Sequence, residues 1–363
     1  MTYGGAERVA AEIIDLFPQA DIFALLDFLP EPDRGILQGK KITTSFLQHL
    51  PGSRSRYRSM LPLMPLAVEQ FELSRYDLII SSSHAVARGA IAEPNQLHIA
   101  YMNNTMEYVR GLSDLYLQSA GLDKGLPGLI ARAMLRYVRN WDANTGDRVD
   151  RYVANSQHMA ERVKNIYGHD STVIYPPVDL ERFVLTEKNG DYYVTAARLV
   201  PFKRIELIVQ AFTQLPEFKL VVLGDGPDRK SLERIAGDNI EFRGFVNREE
   251  VSRIVAAARA FVFASVEPFG IALVEAQACG TPVIAYAEGG AAEIVEDGKT
   301  GVLFEQQSAE SLTEAVRSFE ERLSLFDPGA ARARAEQFST RRFRNEFRQF
   351  VETSWREHCR NLA

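Results

Sequence analysis

The second half of the chain alternates short apolar runs with stretches of helical periodicity. Ile205 to Phe212 and Val251 to Ala258 have the spacing of helices that bury one face. Strands that alternate with helices in this way predict parallel sheets with helices on both faces. The apolar runs that predict strands are Tyr192 to Ala196, Leu220 to Leu223, Ile240 to Phe242, Ala260 to Ala264, Val283 to Ala285 and Val302 to Phe304.

The first half shows a less regular alternation of the same kind. A helix is predicted from Ala6 to Phe17, and Ile130 to Trp141 reads as part of a long helix. Pro176 and Pro177 cannot continue a sheet ladder, so they predict a hinge between two halves. The buried strands predicted before that hinge are Ile22 to Leu26, Leu78 to Ser81, Ile99 to Met102, Arg151 to Ala154 and Val173 to Tyr175.

Residues 267–290, EPFGIALVEAQACGTPVIAYAEGG, carry the strongest chemical signal. Glu267 follows a predicted strand, and open α/β sheets bind their ligands at the carboxyl ends of strands. Glu275 lies about one turn into the predicted helix Ile271 to Ala278. The helix N-terminus between the two carboxylates presents backbone N–H groups and a positive dipole end, which suit phosphate. A solvated pair of surface glutamates is the alternative, and the surrounding turn chemistry makes it the weaker one.

This stretch resembles the Glu-x7-Glu signature of retaining glycosyltransferases of family 4, which have the GT-B fold. The similarity extends over most of the chain. Tyr175 to Asp179 resembles the interdomain segment of that family, and the amino-terminal half is similar to members that build bacterial surface polysaccharides. The segments that resemble the donor-binding half are Ala197 to Lys203, Leu223 to Pro227 and Phe242 to Gly244. The resemblance implies an α/β protein with two Rossmann-like, doubly wound parallel-sheet domains that face each other across a cleft.

The resemblance also implies roles for residues of the second half. Arg198 and Lys203 are expected to hold the donor diphosphate, because Arg grips phosphate bidentately and Lys supplies a compact charge. Glu267 is expected to orient the donor sugar and Glu275 to accept hydrogen bonds from the ribose. Solvated loop cations are the alternative for Arg198 and Lys203. The remaining donor-binding candidates here are Phe269, Gly270 and Ile271, through their backbone, and Gly226, Arg243, Gly244 and Phe245, around the base.

Three donor-binding candidates lie in the first half. Gly4 and Gly5 precede the first predicted helix and are expected to meet the diphosphate, although a simple tight turn is an equal alternative. Asn103 stands near the position where relatives carry a His in a His-Thr-Pro run. Asn donates a neutral hydrogen bond but cannot become cationic, so any charge assistance from that site is lost. His84 is a further cleft candidate, and a structural histidine is the commoner case.

The expected domain boundaries are 1–174 for the acceptor-side domain, 175–339 for the nucleotide-sugar-binding domain, and 340–363 for a helix that crosses back to the first domain. Gly4 and Gly5 ought to follow the first strand, but only three residues precede them, whereas a strand needs about five or six. Strand one is central in a doubly wound sheet. The sequence therefore predicts that the first strand is missing, which puts the activity of this chain in question.

Composition narrows the class of protein. The chain has 363 residues, 46% hydrophobic and 25% charged, with a net charge of −6. This is typical of a soluble globular protein of two domains and argues against a nucleic-acid binder. Cys279 and Cys359 provide neither a disulfide framework nor metal-ligand spacing. Without a signal peptide or an apolar span, a cytoplasmic location is expected.

The acceptor side carries a weaker signal. Arg54, Arg56, Arg58 and Arg75 flank the apolar segment Met60 to Leu66. Basic residues beside an apolar surface dock on anionic membranes. This would suit a lipid-linked acceptor and a peripheral place on the inner face of the cell membrane. A buried loop with a solvated basic edge is the alternative.

The function predicted is metal-independent, retaining transfer of a hexose, with mannose suggested, from a GDP- or UDP-sugar to a glycan or lipid-linked acceptor in surface polysaccharide (including lipopolysaccharide) biosynthesis. No cofactor is expected, because the fixed cations replace a metal and no Asp-x-Asp motif ends a strand. A GT-B nucleotide-sugar epimerase is one alternative. A catalytically weak nucleotide-sugar-binding partner in a glycan-assembly complex is the other. A dehydrogenase is excluded, since no G-x-G-x-x-G follows a strand.

Overall fold

The chain folds into two α/β units. The computed structural model describes residues 4–111, 113–119, 121–185 and 190–362. The first unit comprises residues 1–175 with 344–363, and the second comprises residues 176–343. Both units contain parallel sheets, as the sequence pattern predicted.

The second unit is built on a six-stranded parallel sheet. Each predicted strand of this half is present within one or two residues at either end. The strands are β7 (Tyr192–Ala196), β8 (Lys219–Leu223), β9 (Ile240–Gly244), β10 (Phe261–Phe263), β11 (Val283–Tyr286) and β12 (Gly301–Phe304). Their spatial order is β12-β11-β10-β7-β8-β9.

Helices connect these strands and cover the sheet. Tyr193, Phe212 and Phe319 are fully buried in an apolar cluster that joins the sheet to the first and sixth helices of the unit. The predicted helix Ile271 to Ala278 is confirmed with the same bounds. The helices are α7 (Ile205–Thr213), α8 (Arg229–Ile235), α9 (Arg248–Ala257), α10 (Ile271–Ala278), α11 (Ala291–Ile294), α12 (Ala309–Glu321) and α13 (Pro328–Glu336).

Within its described residues, the first unit has a two-stranded and a four-stranded parallel sheet. Strand Val173 to Tyr175 was predicted two residues too late, because the half-exposed edge strand begins with the polar pair Ser171 and Thr172. The strands are β1 (Ile22–Ala24) paired with β2 (Ile42–Thr44), and β3 (Leu78–Ser83), β4 (Leu97–Met102), β5 (Arg151–Ala154) and β6 (Ser171–Val173) in spatial order. The predicted loss of a first strand concerns residues 1–3, which lie outside the described residues.

The helices of the first unit include one of 20 residues, longer than the predicted segment 130–141. The helices are α1 (Gly5–Leu16), α2 (Ser53–Arg56), α3 (Met64–Glu69), α4 (Ser113–Ser119), α5 (Gly125–Asn144) and α6 (Gln157–Tyr167). The last helix, α14 (Thr340–Leu362), begins in the second unit, and its residues from 344 onward belong to the first. None of the described helices is both long and apolar enough to cross a membrane.

A buried ionic cluster holds α5 and α6 to the rest of the first unit. Asp142 of α5 forms ion pairs with Arg88, which is fully buried, and with Arg110 at 2.6 Å. The hydroxyl of Tyr167 donates to the same carboxylate, 3.1 Å from either oxygen, and the Arg88 guanidinium lies 3.9 Å from the Tyr167 ring. This cluster could not be predicted from the sequence, since its members are far apart along the chain.

Candidate active site

The second sheet changes direction at its centre, between β7 and β10. From β7 the chain continues outward to β8 and β9, and from β10 it continues to β11 and β12 on the other side. The loops that follow these two adjacent strands therefore diverge to opposite faces and leave a crevice at the carboxyl ends. This is where a doubly wound sheet binds its ligand. The predicted catalytic residues all lie in these two loops.

Lys203 and Glu267 form an ion pair across this point. The ammonium of Lys203, after β7, donates to Oε1 of Glu267, after β10. Their side chains are about a quarter exposed, at 22% and 25%. An ammonium has three N–H donors, so Lys203 can keep this contact and still donate to a phosphate oxygen. The ion pair thus brings a cation and a carboxylate together at the carboxyl ends of two adjacent strands.

Arg198 is presented on a loop whose backbone is fixed on both sides. The N–H of Ala197 donates to Leu223 O at 3.0 Å, and the N–H of Leu199 donates to Asp225 O at 3.0 Å. The Arg198 side chain is exposed, and it forms no ion pair with any residue that the structure describes. Its charge is therefore available to an anion at the carboxyl end of β7.

Two glycines after β8 permit this close approach. A Cβ on Gly224, whose φ is +119°, would lie 1.9 Å from Ala197 O. A Cβ on Gly226 would lie 2.2 Å from Leu199 O. Gly226, which the sequence predicts to shape the nucleotide site, thus leaves room for the backbone of the Arg198 loop.

The N-terminus of α10 lies four residues after Glu267. Gly270 precedes the helix with φ +99°, which explains the need for glycine there. The side chain of Phe269 is buried, with its ring 5.4 Å from that of Phe338. Phe269 can therefore offer a ligand only its backbone. The N–H of Leu273 already donates to Gly270 O at 3.0 Å, so the N–H groups of Ile271 and Ala272 are the ones at this helix N-terminus that have no acceptor within the helix.

Glu275 is the only charged residue of α10 and lies in its second turn. It shares the half-buried face of the helix with Ile271, four positions earlier. The other face of α10 is buried, including Leu273 and Val274. Glu275 thus lies one turn beyond the helix N-terminus, on the face that carries Ile271.

The glycine pair after β11 supports the Glu267 loop. The N–H of Gly290 donates to Glu267 O at 2.9 Å. A Cβ on Gly290 would lie 1.9 Å from Phe269 O, and one on Gly289, whose φ is +72°, would lie 2.5 Å from Glu267 O. Both glycines are therefore required by packing. The backbone of Glu267 is fixed by this contact.

The predicted base-side residues lie at the carboxyl end of β9. Arg243 is the extra residue of a bulge, since Val222 pairs with Phe242 and Leu223 pairs with Gly244. Arg243 grips Glu241 through two hydrogen bonds of 2.8 and 3.2 Å, and this contact holds the pKa of the Glu241 carboxyl below its ordinary value.

Gly244, next to that bulge, has φ +70°, and its carbonyl accepts a hydrogen bond of 2.8 Å from the N–H of Gly224, which directly follows β8. Phe245 is 83% exposed beyond it. Arg243 therefore has a partner of its own, whereas Phe245 presents a free aromatic face.

Gly4, Gly5 and Asn103 lie in the first unit. Gly4 caps α1, and its N–H donates to the Glu7 carboxylate at 3.1 Å. Asn103 follows β4. Its side-chain amide donates to Ser82 Oγ at 2.9 Å, and its backbone carbonyl accepts a hydrogen bond from the side-chain amide of Asn155. His84 is exposed. Within the described ranges, no group of three or more His, Cys, Asp or Glu side chains is placed to hold a metal ion.

Sequence profiles of two related families match consecutive parts of the chain. The family of glycosyl transferases group 1 matches residues 178–329, which include the ion pair and the Arg198 loop. The profile named Glycosyltransferase Family 4 matches residues 3–182. The chain belongs to glycosyltransferase family 4.

Curated relatives of this family-4 chain include mycobacterial enzymes. The chain is 31% identical to a GDP-mannose-dependent alpha-(1-6)-phosphatidylinositol monomannoside mannosyltransferase of Mycolicibacterium smegmatis, over 56% of this chain and 58% of that protein. It is 30% identical to a D-inositol 3-phosphate glycosyltransferase of Mycobacteroides abscessus, over 47% of this chain and 44% of that protein. The chain thus matches less than two thirds of the length of these relatives.

Solved structures with a similar fold align over nearly the whole chain. Anabaena HepE in complex with UDP and glucose has a TM-score of 0.68 at 19% identity, covering 97% of this chain and 96% of that one. Sucrose-phosphate synthase from Thermosynechococcus elongatus has a TM-score of 0.70 at 19% identity, covering 97% and 92%. At this identity the likeness establishes the fold alone, and it confirms the predicted GT-B architecture.

Proposed function

We propose that the chain transfers a hexose from a nucleotide sugar to a glycan or lipid-linked acceptor in surface polysaccharide assembly. The observation that carries this proposal is the Lys203–Glu267 ion pair at the switch point of the second sheet, beside Arg198. Membership of glycosyltransferase family 4 supports the class of reaction.

Arg198 and Lys203 hold the donor diphosphate and neutralise the charge that develops on it as the sugar departs. Fixed cations in a partly desolvated crevice stabilise such charge without reorganising during the reaction. Backbone N–H groups at the α10 N-terminus add a second, uncharged contact to phosphate. Lys203 also keeps Glu267 oriented, so that its free oxygen can accept hydrogen bonds from the donor sugar.

Glu275 accepts hydrogen bonds from the ribose, and Phe245 offers an aromatic surface near the base. Phe245 directly follows β9, and Glu275 lies in the second turn of α10. Both are therefore near the carboxyl ends of the strands, as the diphosphate cations are. In this scheme Arg243 does not contact the donor, because its guanidinium is paired with the Glu241 carboxylate. It supports the bulge that shapes the base side.

The transfer proceeds with retention of the anomeric configuration and without a metal ion. Glu267 is not a covalent nucleophile in this scheme, since its carboxylate is engaged with Lys203. The acceptor hydroxyl instead attacks on the face from which the phosphate leaves, and the departing diphosphate takes the proton. Two fixed cations supply the charge that a divalent metal would otherwise provide.

GDP-mannose is the donor proposed first. The relative from Mycolicibacterium smegmatis is named as GDP-mannose-dependent, whereas HepE was solved with UDP. A UDP-sugar is therefore the alternative donor for this chain.

The reaction is tested with GDP-mannose and a panel of UDP-sugars, by following slow donor hydrolysis in the full chain. Proton nuclear magnetic resonance of the first sugar product reports whether its anomeric configuration is retained. Activity that survives a metal chelator supports metal independence. Inverted product, or activity restored only by a divalent cation, contradicts the mechanism. Binding of a donor without turnover would instead favour the non-catalytic binding partner, and an isomerised donor would favour the epimerase.

A further inference from the structure

Arg204, the residue directly after Lys203, has a left-handed backbone. Its φ is +55° and its ψ is +32°, and among the described residues Gln38 is the only other non-glycine residue with a positive φ. Hydrogen bonds hold this conformation, since the Arg204 N–H donates to Pro201 O at 3.1 Å and its carbonyl accepts from the Leu207 N–H at 3.2 Å. A left-handed backbone is unfavourable for a residue with a Cβ, and such strained residues cluster at functional sites. The strain therefore indicates a function for the Arg204 side chain.

The place of Arg204 at the start of α7 makes arginine a still less favourable choice. Arg204 is the N-cap of this helix, and its side chain forms no capping hydrogen bond. A guanidinium carries only donors, whereas the first N–H groups of a helix need an acceptor. Glycine or asparagine would suit both the backbone and the cap. Two local preferences are thus overridden at one residue, and such departures are expected at functional sites.

The guanidinium of Arg204 keeps donor capacity for a ligand. Its Nη1 lies 3.2 Å from Oε1 of Glu206. Its Nε is shielded from solvent, and no residue in the described ranges accepts a hydrogen bond from it. Nε and Nη2 together form the edge through which arginine grips two oxygens of one anion. The side chain as a whole is 40% exposed, so an anion can approach it from solvent.

The charges in the loop after β7 leave room for a further cation. The ammonium of Lys203 donates to Glu267, so this carboxylate offsets its charge. The remaining cation predicted for the donor, Arg198, is a single charge, whereas a diphosphate carries more than one. Arg204 follows Lys203 directly and lies in the same loop at the carboxyl end of the strand. A second guanidinium at this point would restore the balance of charge.

We propose that Arg204 binds the donor diphosphate as a third cation, through Nε and Nη2, beside Arg198 and Lys203. The inference rests on the proposed function, because it assigns a further contact to the same donor site. Phosphate oxygens match the spacing of the guanidinium fork. The backbone strain is then the cost of presenting this side chain at the start of α7. Removal of the side chain should therefore weaken diphosphate binding without lowering the stability of the second unit.

The ion pair with Glu206 does not explain why arginine occupies this position. The two side chains are 40% and 37% exposed. Ion pairs exposed to this extent contribute little to stability, because water and salt screen them. A pair of this kind does not compensate for a left-handed backbone and an uncapped helix. If fastening α7 were its only role, replacement of Arg204 would change stability and leave nucleotide binding intact.

Calorimetric titration of the full chain with GDP and UDP, combined with thermal unfolding, tests the proposal. Arg204→Gly should lower the affinity for the preferred diphosphate about 10- to 100-fold, as for loss of a hydrogen-bonded charge. Its melting temperature should be kept or raised, because glycine adopts the left-handed backbone without strain. Arg204→Asn should act in the same way. Arg204→Lys should recover part of the affinity, since an ammonium keeps the charge but not the fork. Affinity for the nucleoside alone should be the same in all variants.

Two controls separate binding from structure. Gln38→Gly relieves the same kind of backbone strain in the first unit, so it should leave diphosphate affinity unchanged. Glu206→Gln removes the ion pair but leaves the cation, so affinity should be kept or rise.

The proposal is overturned if Arg204→Gly lowers the melting temperature and leaves affinity intact, which would make Arg204 structural. It is also overturned if Glu206→Gln lowers affinity as much as Arg204→Gly does, which would assign the effect to the ion pair. Equal binding by the unaltered chain and the Arg204 variants would refute this inference alone. A folded, unaltered chain that binds neither diphosphate would refute the proposed function, and this inference with it.

Discussion

Lys203 and Glu267, 64 positions apart along the chain, meet as an ion pair where β7 and β10 lie side by side. This contact places a cation and a carboxylate, for which we propose different roles, in one site. In the proposed mechanism the cation holds the phosphate, the carboxylate holds the sugar, and each side chain orients the other. The two roles can be separated experimentally.

Glu267→Gln should separate the proposed role of the carboxylate from that of Lys203. The amide keeps the size of the side chain but removes the charge that competes with phosphate for Lys203. Donor turnover is expected to fall about 10²- to 10³-fold, as for loss of one preorganised transition-state contact. Affinity for free nucleoside diphosphate should be kept or rise. Glu249→Gln on the exposed surface of α9 is the control. A parallel fall in diphosphate affinity and turnover would contradict this division of roles.

Gly290→Ala should disturb the site through packing. A Cβ at this position would lie 1.9 Å from Phe269 O and 2.3 Å from Phe269 Cα. Overpacking of this kind costs about 1–3 kcal/mol, and the shift should move the Glu267 backbone and weaken donor binding. Thermal unfolding and calorimetry measure the two effects. Gly35→Ala, where the structure shows no atom within 4 Å of a built Cβ, is the matched control. Equal effects of the two substitutions would refute the packing role.

Asp142→Ala should strongly destabilise the first unit. It leaves Arg88 fully buried without its carboxylate, and breaking a buried pair costs about 3–5 kcal/mol. The control is Asp147→Ala, because the Asp147 side chain is 94% exposed and its contact with His169 lies at the surface. Such surface pairs contribute about 0–1 kcal/mol. Hydrogen exchange of the α5 amides measures both, and a similar small loss for the two variants would contradict the buried-cluster account.

His98 should make the first unit sensitive to acid. Burial lowers the pKa of its imidazole from 6.5 to about 4. The unfolded chain therefore takes up a proton before the folded chain does, so stability falls as pH drops below about 6.5 and the loss levels off below about 4. That pKa difference corresponds to about 3 kcal/mol.

His98→Gln should remove this part of the pH dependence while retaining a side chain able to bond Ser81 Oγ, which lies 2.9 Å from His98 Nε2. Urea unfolding of both proteins from pH 7 to pH 4 provides the measurement. Curves that stay parallel would show that His98 is not the group responsible.

The sequence predicted the fold well because its strands are short, apolar and bounded by turn residues. Strand β7 and helix α10 were predicted with their observed bounds. Side-chain partners were harder to foresee. Neither the pairing of Lys203 with Glu267 nor that of Arg243 with Glu241 follows from residue type, since the first depends on which strands are neighbours and the second on a bulge. The strand order, which places β7 beside β10, likewise cannot be predicted from a local sequence pattern.

The burial of side chains in the first unit was harder to predict from the sequence. Asp142 and Arg88 look like surface residues in sequence, and only the packing of α5 buries them. The exposure of Leu126 and Leu129 on α5 could not be predicted either, because an apolar helical pattern usually indicates a core face. The predicted strand loss at residues 1–3 and the domain boundaries remain predictions.

The central claim is that the second unit binds a nucleotide sugar through Arg198 and Lys203. Isothermal titration calorimetry of the full chain with GDP-mannose and UDP-glucose tests it most directly, with the double variants Arg198→Ala, Lys203→Ala and, as control, Arg253→Ala, Arg317→Ala. The account predicts that one donor binds, that the first double variant lowers its affinity at least about 100-fold through loss of two charge-assisted contacts, and that the control does not. Equal affinity in the two double variants, or no binding of any nucleotide sugar by the folded chain, would contradict it.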